Sequence, residues 1–342
     1  MVNASTIKKT LADLKTNAPA NLTAVVVGGT NGIGKGFLYK LAEYTPSPKI
    51  YIVGRNETTL SAIIADLQKN VNAKGTYIPV VASDLTLLKQ VSQATSQILS
   101  QETSHIDILF LSQGYLTLRA RNESSEGLDK ITAIRYYGRV RFILDLLPLL
   151  EKSANTFPRP RVISVYNAGS EGKIIPSDLG LREPQNSGAI PALVAATTYM
   201  TLSFERLARD HPKVTFIHGH PGVVRSNIFN AEHFPSAFAF FMNKVIGPTV
   251  FRLVAISPEE SGERHLWEAV DARFAPAEVG EKGGEVVAVG SDGKKGSGAY
   301  TVNGKCEPVF SHGVLKPYRD EGIDAKIWEH TLEELERIKA MT

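Results

Sequence analysis

The chain has 342 residues, 43% apolar and 21% charged, with 28 Gly and 18 Pro, the composition of a folded globular protein. A net charge of +3, spread evenly and with no Lys/Arg cluster interleaved with aromatics, argues against nucleic acid as a partner. Cys306 is the only cysteine, which excludes an intrachain disulfide and a cysteine-rich metal site and makes a reducing, cytoplasmic setting the expectation.

Residues 1–20 form an N-terminal extension that lacks the apolar run of a secretory signal and carries Asp13. Ile7, Leu11 and Leu14 at helical spacing predict a short amphipathic helix there. Ala24–Val27 reads as a strand, and Gly34–Tyr44 as a helix stopped by Pro46. Lys49–Val53 is a second strand, followed by a helix over Glu57–Asn70 with Leu60, Ile63, Ile64 and Leu67 on one face. Thr76–Val81, Ile106–Leu111, Arg161–Val165 and Val214–His218 read as four further strands. Helices are expected between them over Leu85–Ser100, Asp129–Leu150 and Ala192–Asp210.

Such alternation implies βαβ crossovers and a Rossmann-like α/β fold, a doubly wound parallel sheet in three layers, within a single domain. Its core spans residues 21–230, with the ligand site at the carboxyl ends of the strands near the reversal in strand order. Phe234–Ile256 approaches the length of a membrane span, but Pro235, Asn243, Lys244, Gly247, Pro248 and Arg252 interrupt it. Residues 231–270 are therefore expected to form an apolar substrate lid rather than a stable membrane insertion, and 271–342 a C-terminal extension.

The stretch VVVGGTNGIGKG, Val25–Gly36, lies between the first strand and the first core helix. Without side chains, Gly28, Gly32 and Gly34 let the backbone turn tightly and approach a pyrophosphate at the positive end of the helix. Together with Thr30, Asn31 and Ile33 they resemble the TGxxxGIG motif of short-chain dehydrogenases/reductases, with Val27 in place of Thr. Arg55 and Asn56 end the second strand, where a guanidinium can pair bidentately with a 2′-phosphate, so NADP(H) is the expected cofactor. The resemblance extends to three more turns. Asp84 and Leu85 match the family's DL pair at the adenine, and Ser112 and Gly114 match its NAG turn with Ser replacing Asn. Pro221, Gly222, Val223 and Ser226 match the PGxVxT turn beside the nicotinamide and pyrophosphate. Softer likenesses, in Ser257–Trp267, Gly298–Glu307 and Lys326–Thr331, are to fungal secondary-metabolism members of the family.

The family's chemistry implies a YxxxK pair, and this chain has none. Tyr115 and Tyr137 are followed four residues later by Arg119 and Arg141, and Arg is too basic to relay a proton readily. Matching in order puts Gly188 and Ala192 at the Tyr and Lys positions, Tyr166 where the family has Ser, and Arg135 where it has Asn. Tyr166 is the candidate acid or hydrogen-bond donor, with an aromatic pocket wall as the alternative. Arg135 either orients an anionic or enol oxygen or makes a structural ion pair. Tyr199 is expected in the core, and Glu171 and Lys173 in a solvated loop. His218 and His220 lack a third ligand, so no metal is expected, and Asp178 with His211 or His233 lacks the elbow of a nucleophile triad. Three readings remain open. They are an oxidoreductase of a bulky apolar small molecule, a redox-neutral cyclase, isomerase or dehydratase, and a non-catalytic nucleotide binder. A homo-oligomer is compatible with each.

Overall fold

The structure, a computed structural model, describes residues 2–117, 120–153, 159–225, 234, 255–284 and 286–341. Seven strands occur among them: β1 (Thr23–Val27), β2 (Lys49–Gly54), β3 (Thr76–Val81), β4 (Ile108–Leu111), β5 (Arg161–Val165), β6 (Thr215–Gly219) and β7 (Ala299–Val302). All pair in parallel in one sheet, ordered β3-β2-β1-β4-β5-β6-β7. The order reverses between β1 and β4, the switch point at which such sheets take their ligands.

Unbroken apolar runs make these strands because both faces of the sheet are covered. Val25, Val27, Tyr51 and Val53 point into one cluster, with the helices α4 (Leu88–Gln101), α6 (Gly138–Glu151) and α7 (Ala189–Asp210). Ala24, Val26, Ile50 and Ile52 alternate to the other face, against α1 (Ala4–Asn17), α2 (Gly32–Tyr44), α3 (Glu57–Asp66) and α8 (Pro258–Val270). The six strands expected from sequence are present, with ends within two residues of the expected ones. The predicted N-terminal helix is α1, whose Ile7, Leu11 and Leu14 are buried.

Three features depart from the sequence reading. The helix expected over Asp129–Leu150 is divided: α5 (Lys130–Thr132), a wide π turn at Ala133–Tyr137, then α6. Such turns recur at functional sites because they re-aim side chains, and this one carries Arg135. Strand β7 was not anticipated, since it has only four residues and follows a long irregular stretch, closed by Gly298 at φ +81°. The expected lid, 231–270, lies mostly outside the described residues, but its last part is α8. That helix packs flat on α2, where a Cβ on Gly36 would stand 1.9 Å from the Pro258 carbonyl oxygen, so these residues belong to the helical layer.

The C-terminal residues complete the opposite layer. Helices α9 (His312–Asp320) and α10 (Ile323–Lys339) lie against α7 and the π turn. There the Tyr136 hydroxyl is 2.8 Å from Ser203 Oγ and 2.7 Å from Thr331 Oγ1, and Arg319 pairs with Glu205 at 2.7 Å. Among the described residues no helix is long and apolar enough to cross a membrane.

Candidate active site

The first half of the site is main chain. Gly28 and Gly32 hold φ of +83° and +52°, the left-handed region that only glycine enters freely, so the strand can turn into α2 within a few residues. A Cβ on Gly34 would stand 2.2 Å from the Gly28 carbonyl oxygen and 2.4 Å from Ser112 Oγ. The loop is thereby pressed onto β4, where Ser112 Oγ donates to the Val27 carbonyl at 3.0 Å. Asn31 caps α2 by accepting the Gly32 N–H at 2.8 Å, Ile33 packs inward, and Thr30 rests over Gly54. This leaves the first turn of a 13-residue helix facing outward with its positive end free for an anion.

Arg55 stands exposed at the end of β2, with no hydrogen-bond or ionic partner among the described residues. Its neighbour Asn56 has a structural duty, accepting the Thr59 N–H at 2.9 Å as the cap of α3. Asp84 closes its own turn by accepting from the Thr86 N–H and hydroxyl at 2.9 and 2.7 Å, and Leu85 is buried beneath it. Pro221 and Gly222 follow β6 in a turn with Gly222 at φ +72°, and Val223 is exposed beside it. Gly304 packs so closely that a Cβ on it would stand 2.7 Å from the Gly222 nitrogen. Ser226 lies outside the described residues.

The second half is made of side chains. Tyr166 follows β5, and its hydroxyl accepts from Arg135 Nη1 at 3.0 Å. Arg135 also donates to the Tyr115 carbonyl. Among the described residues the structural ion pair considered for it is not made: its bonds go to a phenol and a carbonyl, because the π turn swings it toward the strand ends. Behind it, one turn further along α6, Arg139 donates to Ser164 Oγ, Val165 O and Gln113 O at 2.7, 2.8 and 2.5 Å, tying β4 to β5. The two guanidinium carbons lie 5.2 and 5.6 Å from the centre of the Tyr166 ring. Burial raises the Tyr166 phenol above its ordinary value, and the two arginines only partly offset this. It therefore remains a neutral phenol near neutral pH. Gly188, at φ +121°, caps α7 with nothing within 4 Å of where a Cβ would be, and Ala192 is buried. No side chain at either position supplies a phenol or an ammonium.

A polar chain runs behind the tyrosine. His218, its ring 6.3 Å from that of Tyr166, lies 2.8 Å from Thr201 Oγ1, which donates to Glu171 Oε1 at 2.7 Å. The Asn167 N–H points at His218 Nε2 at 3.4 Å, so the ring proton is on Nδ1 and the imidazole is neutral. Burial pulls His218 down to about 4, although Glu171 opposes the fall. Ser311 also donates to Glu171, which is buried. The expectation of a solvated Glu171 thus fails, because the hydroxyls of α7 and the 311 turn replace its water; Lys173 is exposed as expected. Tyr199 is in the core, as expected, with its hydroxyl on the Leu179 carbonyl at 3.1 Å. No group of three metal-ligating side chains occurs among the described residues.

The family model described as short chain dehydrogenase matches residues 22–157. Oxidoreductase AN1596 of Emericella nidulans is 40% identical over 341 residues, covering 97% of each chain. This chain belongs to the short-chain dehydrogenase/reductase family. A second family member, short-chain dehydrogenase/reductase SAT2 of Stachybotrys chartarum, is 28% identical, with 99% of this chain and 98% of that one covered. Among solved structures, an NADPH-bound carbonyl reductase from chicken fatty liver superposes with a TM-score of 0.54 at 14% identity, covering 84% of this chain and 98% of its own. The Pseudomonas aeruginosa RhlG/NADP complex gives 0.53 at 19% identity, covering 73% and 90%. These two share the fold. Against the family pattern, the residues that sequence reasoning missed are Arg139 and Thr201. A signal for the first was present: Arg135 and Arg139 sit on the same helical stripe as Phe142 and Leu146, where an apolar residue is the rule.

Proposed function

We propose that this chain is an NADP(H)-dependent oxidoreductase of a bulky apolar small molecule, working in the cytoplasm within fungal secondary metabolism. The observation that carries the reading is the juxtaposition of an anion-ready glycine cradle after β1 with the Arg135–Tyr166 pair after β5, on either side of β4. Gly28–Gly34 and the start of α2 receive the pyrophosphate, Arg55 the 2′-phosphate and Asp84 the adenine end. Ser112, Gly114, Pro221, Gly222 and Val223 would border the nicotinamide. That ring, when bound, supplies or takes up the hydride.

The rest is the work of this chain's side chains. Arg135 fills the acceptor side of the Tyr166 hydroxyl, and the phenol proton makes a long bond to the Leu193 carbonyl at 3.5 Å. The phenol can exchange that long bond for one to a substrate oxygen, while Arg135 stabilises negative charge developing on the substrate oxygen. With no lysine to lower it, Tyr166 serves as hydrogen-bond donor and acid better than as base. Fluorescence titration with NADPH and NADH is the first test: NADPH is expected to bind and to bind more tightly. Failure of NADPH to bind at micromolar concentrations would sink the reading. The missing Tyr–Lys pair favours one second reading, a redox-neutral reaction on the same scaffold. Deuteride-labelled NADPH separates the two, since only hydride transfer puts deuterium into product.

A further inference from the structure

Among the described residues, two buried guanidiniums at the strand ends lack the anion that buried cations ordinarily keep. Arg135 is 3% and Arg139 1% exposed. Among the described residues their hydrogen bonds go to neutral oxygens: the carbonyls of Tyr115, Gln113 and Val165 and the hydroxyls of Tyr166 and Ser164. Arg139 Nε is buried with no partner among the described residues. Glu171, the carboxylate of the adjoining polar chain, is already committed to Thr201, Ser311 and the Gly169 N–H. Burial pulls Arg139 down to about 9 despite Tyr166, and Arg135 adds to the fall. Arg139 therefore still carries its charge at neutral pH.

The solvent-facing neighbour of the pair is Gly114. Gly114 is exposed, and a Cβ there would stand 3.8 Å from Arg139 Nη2 and 4.0 Å from Arg135 Cγ. Arg135 uses one hydrogen bond from each Nη, so most of its five donors are uncommitted among the described residues. A guanidinium fork matches a planar, delocalised oxyanion better than any other partner.

We propose that the substrate brings the missing charge: a planar oxyanion, either a carboxylate or an enolised β-dicarbonyl, lies against Arg135 through the gap at Gly114. This rests on the reading of Arg135 and Tyr166 as the substrate end of the site. It deepens that reading, because an otherwise apolar molecule is then oriented by one acidic group.

The test uses the full chain without nucleotide and saturation-transfer NMR at neutral pH. Benzoate is compared with benzamide, and dimedone, ionised at that pH, with its neutral monoketone analogue. At least one anion should bind about tenfold more tightly than its neutral partner, the scale of a charge-assisted bond. Arg135→Gln should abolish the preference, and Arg55→Ala should leave it intact. Preference for benzoate alone assigns a carboxylate, and for dimedone alone an enolate; either upholds the proposal. Equal binding of anion and neutral partner overturns it, as does absence of binding at millimolar concentration. A preference lost in Arg55→Ala but kept in Arg135→Gln overturns it too. Should Arg135→Gln fail to fold, the wild-type comparison and the Arg55→Ala control decide alone. An NADPH titration on the same sample reports separately on the nucleotide reading, so one can fail without the other.

Discussion

The two ends of the site were built in different ways. The Val27–Gly36 turn does its work with backbone: positive φ at Gly28 and Gly32, and a Gly34 contact that no Cβ survives. The other end, where β4, β5 and α7 meet, works with side chains brought from far apart in the chain. There the family's lysine and tyrosine positions hold Ala192 and Gly188, and an arginine pair surrounds a tyrosine instead. A main-chain site tolerates little change in sequence, since its donors come with the fold. A side-chain site can be rebuilt residue by residue on an unchanged scaffold. Nucleotide binding and proton chemistry should therefore respond independently to mutation.

The strongest break of that independence is sought at Tyr166. Tyr166→Phe removes the donor while leaving the ring between the two arginines. Turnover of an accepted carbonyl substrate should fall by roughly 10²- to 10³-fold, the scale for losing one preorganised donor to a developing oxyanion. NADPH affinity should stay within twofold, by about the same titration error. Unchanged turnover would leave Tyr166 as an aromatic wall. At the other end, Arg55→Ala should weaken NADPH about 10- to 100-fold, the range for charged hydrogen bonds, with little effect on NADH. Equal losses for both nucleotides would contradict the 2′-phosphate role.

The same division explains what could be read without coordinates. Six strands were legible because each is a run of apolar, mostly β-branched residues bounded by turn residues, and their order fixed the sheet. The cradle was legible because its physics requires glycine at particular places. Strand β7 and helix α8 were not, although Ser257 and Glu260 in SPEE carry a capping signal: the Ser257 hydroxyl accepts the Glu260 N–H at 3.1 Å. The π turn at Ala133–Tyr137 was invisible, since a shift from four- to five-residue hydrogen bonds leaves the apolar stripe intact. Arg139 was visible only as a second arginine on that stripe. Its site exists only once β4 and β5 present the carbonyls of Gln113 and Val165 together.

The smallest expected effect concerns the polar chain behind Tyr166, and it tests whether that chain supports the fold of the side-chain end. His218 is buried neutral, held down to about 4 from an ordinary value of 6.5. An imidazole that titrates lower when folded gives the unfolded chain the greater proton affinity below 6.5, so its contribution to stability shrinks as pH falls from there toward 4. His220 and His330, also lowered by burial, push in the same direction. The wild type should therefore lose melting temperature over that interval, and His218→Gln should lose less of it while starting from a lower value at neutral pH. Gln keeps an amide that can donate to Thr201, so the chain to Glu171 and Ser311 remains closed. NADPH affinity should be unmoved by the change, because no part of the Gly28–Gly34 cradle touches this histidine. A parallel fall in stability for wild type and variant would place the acid sensitivity elsewhere, and a fall in NADPH affinity would show that the two ends of the site are coupled after all.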